Sequence, residues 1–319
     1  MTNIAKRIYG FLLNRPDELE IEPTNHCNLR CPICIAERDT MSDRLGFMNF
    51  SMFEKLVDEF NGGVRKVCLS GRGEPTLHPN IVEMIQLLKS KGVSTFMNTN
   101  ALKLSDPRLV EEIVKTGLDS IYISLDGVNQ DTYGTIRVGG EVKSVLSSLE
   151  HLTTAKRALG VDKPYVQVNF LYSKINQQDL PAIVRLSEKF DIDRIRVNGI
   201  SIPGGIFRNN PQLFREMVDR FVPENAPKRY EGYSLVRPHK RCGEFKRATI
   251  VYDGRMLVCQ RDAAKDMIIG NVFDQGLWPV WKNRVKISKK AIKGKSFKEC
   301  DGCPQSLAYH GETVYEKRK

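Results

Sequence analysis

Three cysteines near the start of the chain are spaced closely enough to bind a soft metal centre. They are Cys27, Cys31 and Cys34, in the pattern Cys-x3-Cys-x2-Cys, and the next cysteine along the chain is Cys68. Thiolates bind zinc and iron–sulfur clusters, and both usually take four protein ligands. A loop with three thiolates therefore indicates a cluster with one open iron, where chemistry can take place. A zinc ion completed by a distant fourth ligand, or by His26, is the alternative.

This loop resembles the signature of the radical S-adenosylmethionine (SAM) superfamily. The resemblance implies that the three cysteines bind three irons of a [4Fe–4S] cluster and that the amino and carboxylate groups of SAM chelate the fourth. Members of the superfamily usually carry an aromatic residue just before the third cysteine, whereas this chain has Ile33. That departure concerns only the local stacking on adenine.

Three turns that follow predicted strands resemble SAM-binding elements of this superfamily. Residues 71–75, Gly-Arg-Gly-Glu-Pro, are similar to its Gly-Gly-Glu-Pro motif, which contacts the SAM amino group. Glycines let the backbone approach a ligand closely, and Arg72 replaces only the second of them. Residues 98–100 resemble a Thr-Asn-Gly element near the ribose, and residues 123–127 a Ser-x-Asp turn. The contacts implied are Gly71, Gly73, Glu74, Asn100 and Ser124.

Three further polar residues fall where the superfamily binds SAM or substrate. Arg137 would pair with the SAM carboxylate, because a guanidinium can grip a carboxylate through two hydrogen bonds. Asn169 and Asn198 fall at strand ends, where adenine and substrate contacts are made. For each of these side chains, a hydrogen-bonded turn or a water contact is the alternative.

The segments between these motifs alternate between strand and helix. The predicted strands are 19–24, 66–70, 95–99, 121–125, 166–171 and 194–198, and the main helices are 51–60, 81–88, 109–115, 141–159 and 180–190. Such alternation with short links is typical of a parallel sheet covered by helices. Each strand also has one apolar and one polar face; Ile121 and Ile123, for example, oppose Tyr122 and Ser124. The polar faces indicate a lumen that holds a cofactor and a substrate.

The fold class that we predict is α/β. The layout matches the partial (β/α)6 barrel of the radical SAM superfamily over roughly residues 15–200. A small C-terminal β-hairpin and helix iron–sulfur domain would follow. A protein of two sheets with solvated faces is the alternative fold. Within the predicted barrel, Ser51 is the predicted N-cap of the first helix.

The composition is that of an ordinary globular protein, with 41% hydrophobic and 27% charged residues among 319. A run of about 18 apolar residues is absent from the sequence, which argues against a transmembrane helix. The first residues are predicted to form a helix, since their short apolar run lacks the cleavage site of a signal peptide. We therefore expect a cytoplasmic protein without a membrane partner, whose reduced cysteines suit metal binding rather than disulfides.

The net charge of +11 belongs almost wholly to the last third of the chain. Residues 221–319 contain 21 Lys and Arg against 11 Asp and Glu, a net charge of +10, whereas residues 1–220 contain 28 against 27. Prolines also cluster near this change, as they do at boundaries. We predict an N-terminal helix (1–15), a partial barrel (16–220) and an auxiliary cluster domain (221–319).

The last third of the chain contains four cysteines, which are Cys242, Cys259, Cys300 and Cys303. Asp253-Gly254, between two β-rich segments, predicts a hairpin that carries Cys242 and Cys259 towards each other. Four thiolates suit either a structural zinc or a fully ligated [4Fe–4S] cluster. The spacing, together with Ile-Gly-Asn-Val and Trp281 after the second cysteine, resembles the SPASM/twitch extension of radical SAM enzymes. That resemblance implies an auxiliary [4Fe–4S] cluster.

The stretch Lys282–Lys298 is basic throughout, with Arg284 among its cations and no acidic residue. Charge runs usually form a solvated helix face. The functional alternative is a docking patch for an acidic electron donor, such as a flavodoxin or ferredoxin, or for a phosphorylated substrate. Nucleic acid is not expected as a partner, because aromatic residues do not alternate with the basic ones.

The resemblance also implies a reaction. SAM would be cleaved reductively, and the 5′-deoxyadenosyl radical would abstract a hydrogen from an unactivated carbon. Cys68 shares the polar parity of Lys66 and Ser70, and as a hydrogen donor it would make the enzyme an epimerase. If Cys68 is buried, the auxiliary cluster would take the second electron and the enzyme would be a dehydrogenase. A lone strand cysteine is more often a small core residue.

Two substrate classes fit the sequence. The polar lumen suits a hydroxylated small molecule such as a sugar, a nucleotide sugar or an aminocyclitol. Fewer than about 25 residues precede the cluster loop, which is too short for a separate peptide-recognition domain, so the small molecule is preferred over a ribosomal peptide. A non-catalytic iron–sulfur or zinc-binding module is a third hypothesis, although it would not need Glu74 or Ser124.

Overall fold

A computed structural model describes residues 15–16, 18–34, 45–199, 211–223, 247–258, 268–292 and 312–316. Within this part of the chain, ten strands form one sheet in the order β10-β6-β5-β4-β3-β2-β1-β7-β8-β9. The strands are β1 (Glu18–Ile21), β2 (Lys66–Leu69), β3 (Ser94–Thr99), β4 (Ser120–Ser124), β5 (Tyr165–Tyr172), β6 (Arg194–Gly199), β7 (Arg247–Ile250), β8 (Arg255–Leu257), β9 (Ile268–Asn271) and β10 (Glu312–Glu316). Strands β1 to β6 are parallel, as predicted.

The first six helices connect the parallel strands, and the other three follow β6 and β9. They are α1 (Phe50–Asp58), α2 (Ile81–Ser90), α3 (Pro107–Lys115), α4 (Gln130–Ile136), α5 (Val142–Leu159), α6 (Leu180–Lys189), α7 (Pro211–Phe221), α8 (Val272–Gln275) and α9 (Leu277–Ile292). Among the described helices, none is both long and apolar enough to cross a membrane. Residues 1–14, which hold most of the predicted N-terminal helix, lie outside the described residues.

The two faces of the sheet differ as the sequence alternation predicts. On β4, Ile121 and Ile123 are fully buried in the helix-covered core, whereas Tyr122 and Ser124 are half-buried on the opposite face. The same alternation recurs on β5, where Val166 and Val168 enter the core. Because parallel strands keep this parity in register, their polar side chains share one surface. That surface lines the lumen of the partial barrel.

Two local predictions about helices were wrong. The N-cap of α1 is Asn49, whose side chain accepts a hydrogen bond from the Met52 amide, while the Ser51 hydroxyl donates to Asn49. The sequence reading also missed α4. Asn129 caps that helix by accepting from the Thr132 amide, and an Asn in this position is an ordinary N-cap signal.

The predicted hairpin is present but extends the barrel sheet. Strand β7 pairs in parallel with β1 and antiparallel with β8, and Gly254 in the turn has a φ of +87°. The C-terminal part also packs on α1, since the Glu59 carboxylate accepts from the Leu277 amide and its carbonyl oxygen accepts from Nε1 of Trp278, each at 2.7 Å. The C-terminal strands and α9 are thus attached directly to the barrel.

Candidate functional site

The three cysteines of the N-terminal loop follow β1 and lie at the carboxyl edge of the sheet. Cys31 is buried, with 6% of its surface exposed, and Cys27 and Cys34 are half-buried. The Cys34 amide donates to the Cys31 carbonyl at 2.9 Å, which curls the loop back on itself. Burial raises the pKa of Cys27 and raises that of Cys31 to about 11. Thiols in this setting ionise when a metal centre supplies the compensating positive charge.

The donor set fits a cluster better than a single ion. Within the described residues, no three His, Cys, Asp or Glu side chains converge as they would around one metal ion. In an iron–sulfur cubane each thiolate binds a different iron, so cluster ligands lie farther apart than the ligands of one zinc. Three thiolates supplied by one loop fit the three-cysteine ligand set of a cluster whose fourth iron takes another ligand.

Gly73 is required by the close approach of two backbone segments. A Cβ at this position would lie 2.2 Å from the Thr24 carbonyl oxygen and 2.5 Å from that of His26. The neighbouring Glu74 amide donates to the His26 carbonyl at 2.7 Å. The turn after β2 therefore supports the backbone just before Cys27. Gly71 is constrained differently, because its Cβ would meet the Glu22 side chain at 2.4 Å.

The Glu74 carboxylate is buried and fully engaged by the protein. One oxygen accepts from the hydroxyls of Thr76 and Thr99, each at 2.6 Å, and the other accepts from the Asn100 amide at 2.7 Å. Burial raises the pKa of Glu74, although these hydrogen bonds act in the opposite direction. Glu74 thus ties the turn after β2 to the end of β3. A contact of its carboxylate with the SAM amino group stays a prediction.

Asn100 connects the end of β3 to the cysteine loop. Its side-chain amide donates to Oδ1 of Asn28 at 2.8 Å and lies 4.0 Å from Sγ of Cys27. The residue is 6% exposed, so its position is set by packing as well as by these contacts. The structure thus places Asn100 beside the cysteine loop, while its predicted contact with SAM stays a prediction.

Arg137 lies against the loop from the other side. Its Nε donates to the Asp126 carboxylate at 2.6 Å, and its Nη1 lies 4.0 Å from Sγ of Cys31. The second Asp126 oxygen accepts from the Leu171 amide at 2.6 Å, and the Asp126 side chain is fully buried. A guanidinium has five N–H donors, so Arg137 keeps donors for a further partner after pairing with Asp126, and its contact with the SAM carboxylate stays a prediction. Asp126 was not predicted as a site residue, although its place in the Ser-x-Asp turn was a signal.

Two remaining candidates lie level with each other above the lumen. Ser124 and Asn169 are register partners on β4 and β5, and Asn100 follows β3 at the same level. The Asn169 side chain accepts from Gln167 at 2.7 Å. Asn198 lies one strand farther, opposite Leu171. Among the described residues, the Ser124 hydroxyl and the Asn198 amide have no hydrogen-bond partner, which leaves them available to a ligand.

Cys68 is on the lumen face by parity, but it is only 2% exposed. The side-chain amide of Asn98 donates to its sulfur at 3.5 Å, and burial raises the pKa of the thiol. A hydrogen donor must be within reach of a substrate carbon, and this burial matches the more common role as a small core side chain. The donor role stays a prediction without support from the geometry.

An aromatic stack beside the loop was not predicted. The ring of Phe47 stacks on His26 with centroids 4.6 Å apart and meets His78 edge-on at 5.7 Å. His78 is 2% exposed; its Nε2 faces the Met48 carbonyl and its Nδ1 accepts from the Asn80 amide. The stack packs against His26, the residue next to Cys27. Its members are separated in sequence by up to 52 positions, so a local sequence pattern does not predict it.

A comparison with protein-family models assigns this arrangement to a family. The radical SAM superfamily model matches residues 21–187, which is more than half of the chain. The chain belongs to the radical SAM superfamily. A second model, for the SPASM iron–sulfur cluster-binding domain, matches residues 242–304. As a radical SAM protein with a SPASM domain, the chain takes a [4Fe–4S] cluster, SAM and an auxiliary cluster as cofactors.

Relatives of this radical SAM protein differ in what they act on. It is 24% identical over 315 residues to the tungsten-containing aldehyde ferredoxin oxidoreductase cofactor-modifying protein of Pyrococcus furiosus, covering 89% of this chain and 86% of that one. It is 28% identical over 307 residues to the PqqA peptide cyclase of Bradyrhizobium diazoefficiens, covering 89% and 77%. The fold is similar to SuiB of Streptococcus suis bound to SAM, with a TM-score of 0.66, 19% identity and coverage of 94% and 75%.

The SPASM region is described only in part. Its four cysteines, Cys242, Cys259, Cys300 and Cys303, lie outside the described residues. Arg284, assigned to the basic stretch, is not a surface cation: it is fully buried, stacks over Trp281 and donates to the Val258 carbonyl at 2.9 Å. The helical period explains the difference, because Arg284 lies on the face of α9 that carries Trp281, whereas Lys282 and Lys286 are exposed.

Proposed function

We propose that this radical SAM enzyme abstracts a hydrogen atom from a polypeptide substrate that reaches into the polar lumen. The observation that carries the proposal is the contact of the cysteine loop with Asn100, which lies at the same level of the sheet as Ser124 and Asn169. This level presents amide and hydroxyl groups beside the cysteines, as a bound SAM requires. The PqqA peptide cyclase supports a polypeptide substrate, since it is similar over 89% of this chain.

The residues of the chain then have separate tasks. With the [4Fe–4S] cluster and SAM bound, the site would supply the 5′-deoxyadenosyl radical, which takes a hydrogen atom from the substrate and leaves as 5′-deoxyadenosine. Arg137, held by Asp126, binds the carboxylate of SAM. Ser124 offers its hydroxyl to SAM, and Glu74 keeps the turn after β2 against the loop. The exposed cations Lys282 and Lys286 on α9 form the docking surface for a flavodoxin or ferredoxin that supplies the electron.

A polar small molecule is the second candidate. It is favoured by the lumen itself, where Tyr122, Gln167 and Arg196 project from neighbouring strands and offer both donors and acceptors. Such groups would bind the hydroxyls of a sugar or an aminocyclitol as readily as a polar side chain of a peptide. The two candidates differ in the size of the substrate, not in the chemistry of hydrogen abstraction.

A deuterium-transfer experiment tests the proposal and separates the two candidates. A perdeuterated bacterial extract is divided into a polypeptide fraction and a fraction of small molecules. The reconstituted enzyme is incubated with each fraction, SAM and dithionite, and the 5′-deoxyadenosine is analysed by mass spectrometry. We expect deuterium in the product with the polypeptide fraction only, since hydrogen abstraction moves one deuterium from substrate to product.

The controls are an Arg137→Ala variant and the wild-type enzyme without extract. Deuterium transfer from the small-molecule fraction alone would refute the polypeptide substrate and support the second candidate. Absence of SAM cleavage by reconstituted wild-type enzyme under dithionite would refute both.

A further inference from the structure

Tyr133 is a buried tyrosine whose hydroxyl has no hydrogen bond within the described part of the chain. Its side chain is fully buried on α4, in the apolar core between that helix and the sheet. Buried tyrosine hydroxyls nearly always find a partner, because removing them from water without one is unfavourable. A phenylalanine would fill the same space without this cost. The hydroxyl therefore indicates a partner that is not part of the polypeptide.

The hydroxyl end of the ring lies beside the cysteine loop. A Cβ built on Gly140 would lie 2.9 Å from Cε1 of Tyr133 and 3.0 Å from Cδ2 of Leu29. Cε1 is bonded to the carbon that carries the hydroxyl, and Leu29 lies between Cys27 and Cys31 in the loop. The edge of the Tyr133 ring next to its hydroxyl therefore borders the same small space as a side chain of the cysteine loop.

The charged groups that influence Tyr133 belong to the same site. Burial raises the pKa of Tyr133, and the charged groups that act on it are Arg137, Asp126, Cys31 and Glu74. These four belong to the site described above, and they come from four different segments of the chain. The phenol is therefore within electrostatic reach of residues of the radical SAM site, although its hydroxyl contributes to none of the hydrogen bonds that hold that site together.

We infer that the Tyr133 hydroxyl donates a hydrogen bond to a sulfur atom of the cluster held by Cys27, Cys31 and Cys34. The inference rests on the radical SAM function. Hydrogen bonds to the sulfurs of an iron–sulfur cluster stabilise its reduced, more negative state and raise its reduction potential. Tyr133 would then make the cluster easier to reduce, and it would satisfy its own hydroxyl only when the cluster is bound.

The test compares Tyr133→Phe with Tyr172→Phe in the full-length, anaerobically reconstituted protein. Each variant removes one hydroxyl, and that of Tyr172 donates instead to Gln177 at 3.4 Å on the surface. The potential of the cluster is measured by electron paramagnetic resonance during a redox titration, following the signal that changes when SAM is added. We expect a lower potential for Tyr133→Phe and a wild-type potential for Tyr172→Phe.

Stability without the cluster gives a second readout. Because the hydroxyl has no protein partner, Tyr133→Phe should unfold in denaturant at the same or a higher midpoint than wild type before reconstitution. A lower midpoint would show that the protein itself binds the hydroxyl and would overturn the inference.

Three further outcomes also decide the matter. Equal potentials for Tyr133→Phe and wild type, in an enzyme that cleaves SAM, would overturn this inference and leave the proposed function standing. If Tyr133→Phe bound SAM more weakly but kept the wild-type reduction potential, the hydrogen-bond partner of the hydroxyl would be SAM, and the inference about the cluster would be overturned. A wild-type protein without a SAM-responsive signal would overturn the proposed function as well.

Discussion

Arg137 lies between Asp126 and Cys31, donating to the carboxylate at 2.6 Å and approaching the sulfur to 4.0 Å. Asp126 is fully buried in its side chain, and Arg137 is 19% exposed. The ion pair of Arg137 and Asp126 thus connects the C-terminal end of α4 to the cysteine loop. Removing one partner leaves the charge of the other without its counterion, which has a cost beyond the lost hydrogen bond.

Replacement of Asp126 by Asn should therefore destabilise the fold and weaken the site. The asparagine keeps the shape but leaves the Arg137 charge without its counterion, which for a buried pair costs about 3 kcal/mol in the free energy of unfolding. Urea denaturation of the unreconstituted chain measures this loss. Asp131→Asn, an acidic residue in the first turn of α4, is the matched control and should change stability by less than about 1 kcal/mol. Equal effects of the two substitutions would contradict a special role for the pair.

Substitution of any one loop cysteine should remove one of the two clusters. Cys27→Ala, Cys31→Ala and Cys34→Ala should each lower the iron content after reconstitution by about half, since two cubanes hold about eight irons in total. Cys68→Ala is the control, because this buried thiol is not expected to bind iron. Iron and sulfide analysis checks the result, and a similar loss in Cys68→Ala would show that the ligands were assigned wrongly.

Gly73→Ala should disturb the cluster loop although it leaves every ligand in place. Its Cβ would lie 2.2 Å from a backbone oxygen of Thr24, which cannot move without shifting the loop. We expect reduced iron retention on chelation and a loss of SAM cleavage. Gly134→Ala on α4 is the control, because the nearest atom to its Cβ would be a side-chain nitrogen, that of Gln130 at 3.0 Å, and not a loop carbonyl. Iron retention in Gly73→Ala equal to that in Gly134→Ala would rule out the contact as a constraint.

His78 should make the stability of the protein depend on pH. Burial lowers the pKa of His78, while the Met48 carbonyl and the Glu83 charge act in the opposite direction. The unfolded chain therefore binds the proton more readily than the folded chain, and stability falls as the pH drops below about 6.5, the ordinary pKa of histidine. The loss levels off below the lowered pKa of the folded state. Denaturation midpoints between pH 8 and pH 5 measure this slope.

His78→Gln provides the comparison for that experiment. The amide retains one donor for the Met48 carbonyl but does not titrate, so the variant should be less stable at pH 8 and should have a smaller slope below pH 6.5. An unchanged slope in His78→Gln would assign the pH dependence to other groups.

The parallel strands were the most predictable part of the fold. The alternation of Ile121 and Ile123 with Tyr122 and Ser124 depends only on side chains within one strand, and burial of one face selects the register. The cysteine spacing and the turn of residues 71–75 were equally local. These features depend on residues that are close in the sequence, so they can be predicted from a single sequence.

Contacts between distant segments were not predictable in the same way. The pairing of β7 with β1 depends on backbone hydrogen bonds, which every sequence can make. The burial of Arg284 depends on the packing of α9, and a basic stretch in the sequence does not show which of its cations faces inward. The partnership of Asp126 with Arg137 joins a turn to a helix end, and only the fold brings the two together.

The parallel pairing of β1 with β7 fixes where the loops after these strands begin. Both strands run in the same direction, so the loop of Cys27 leaves β1 at the carboxyl edge, while β8 turns back and brings Val258 towards the amino edge. Val258 directly precedes Cys259. The described end of the hairpin and the start of the cysteine loop thus lie at opposite edges of the sheet, separated by roughly the 13 Å of a four-residue strand.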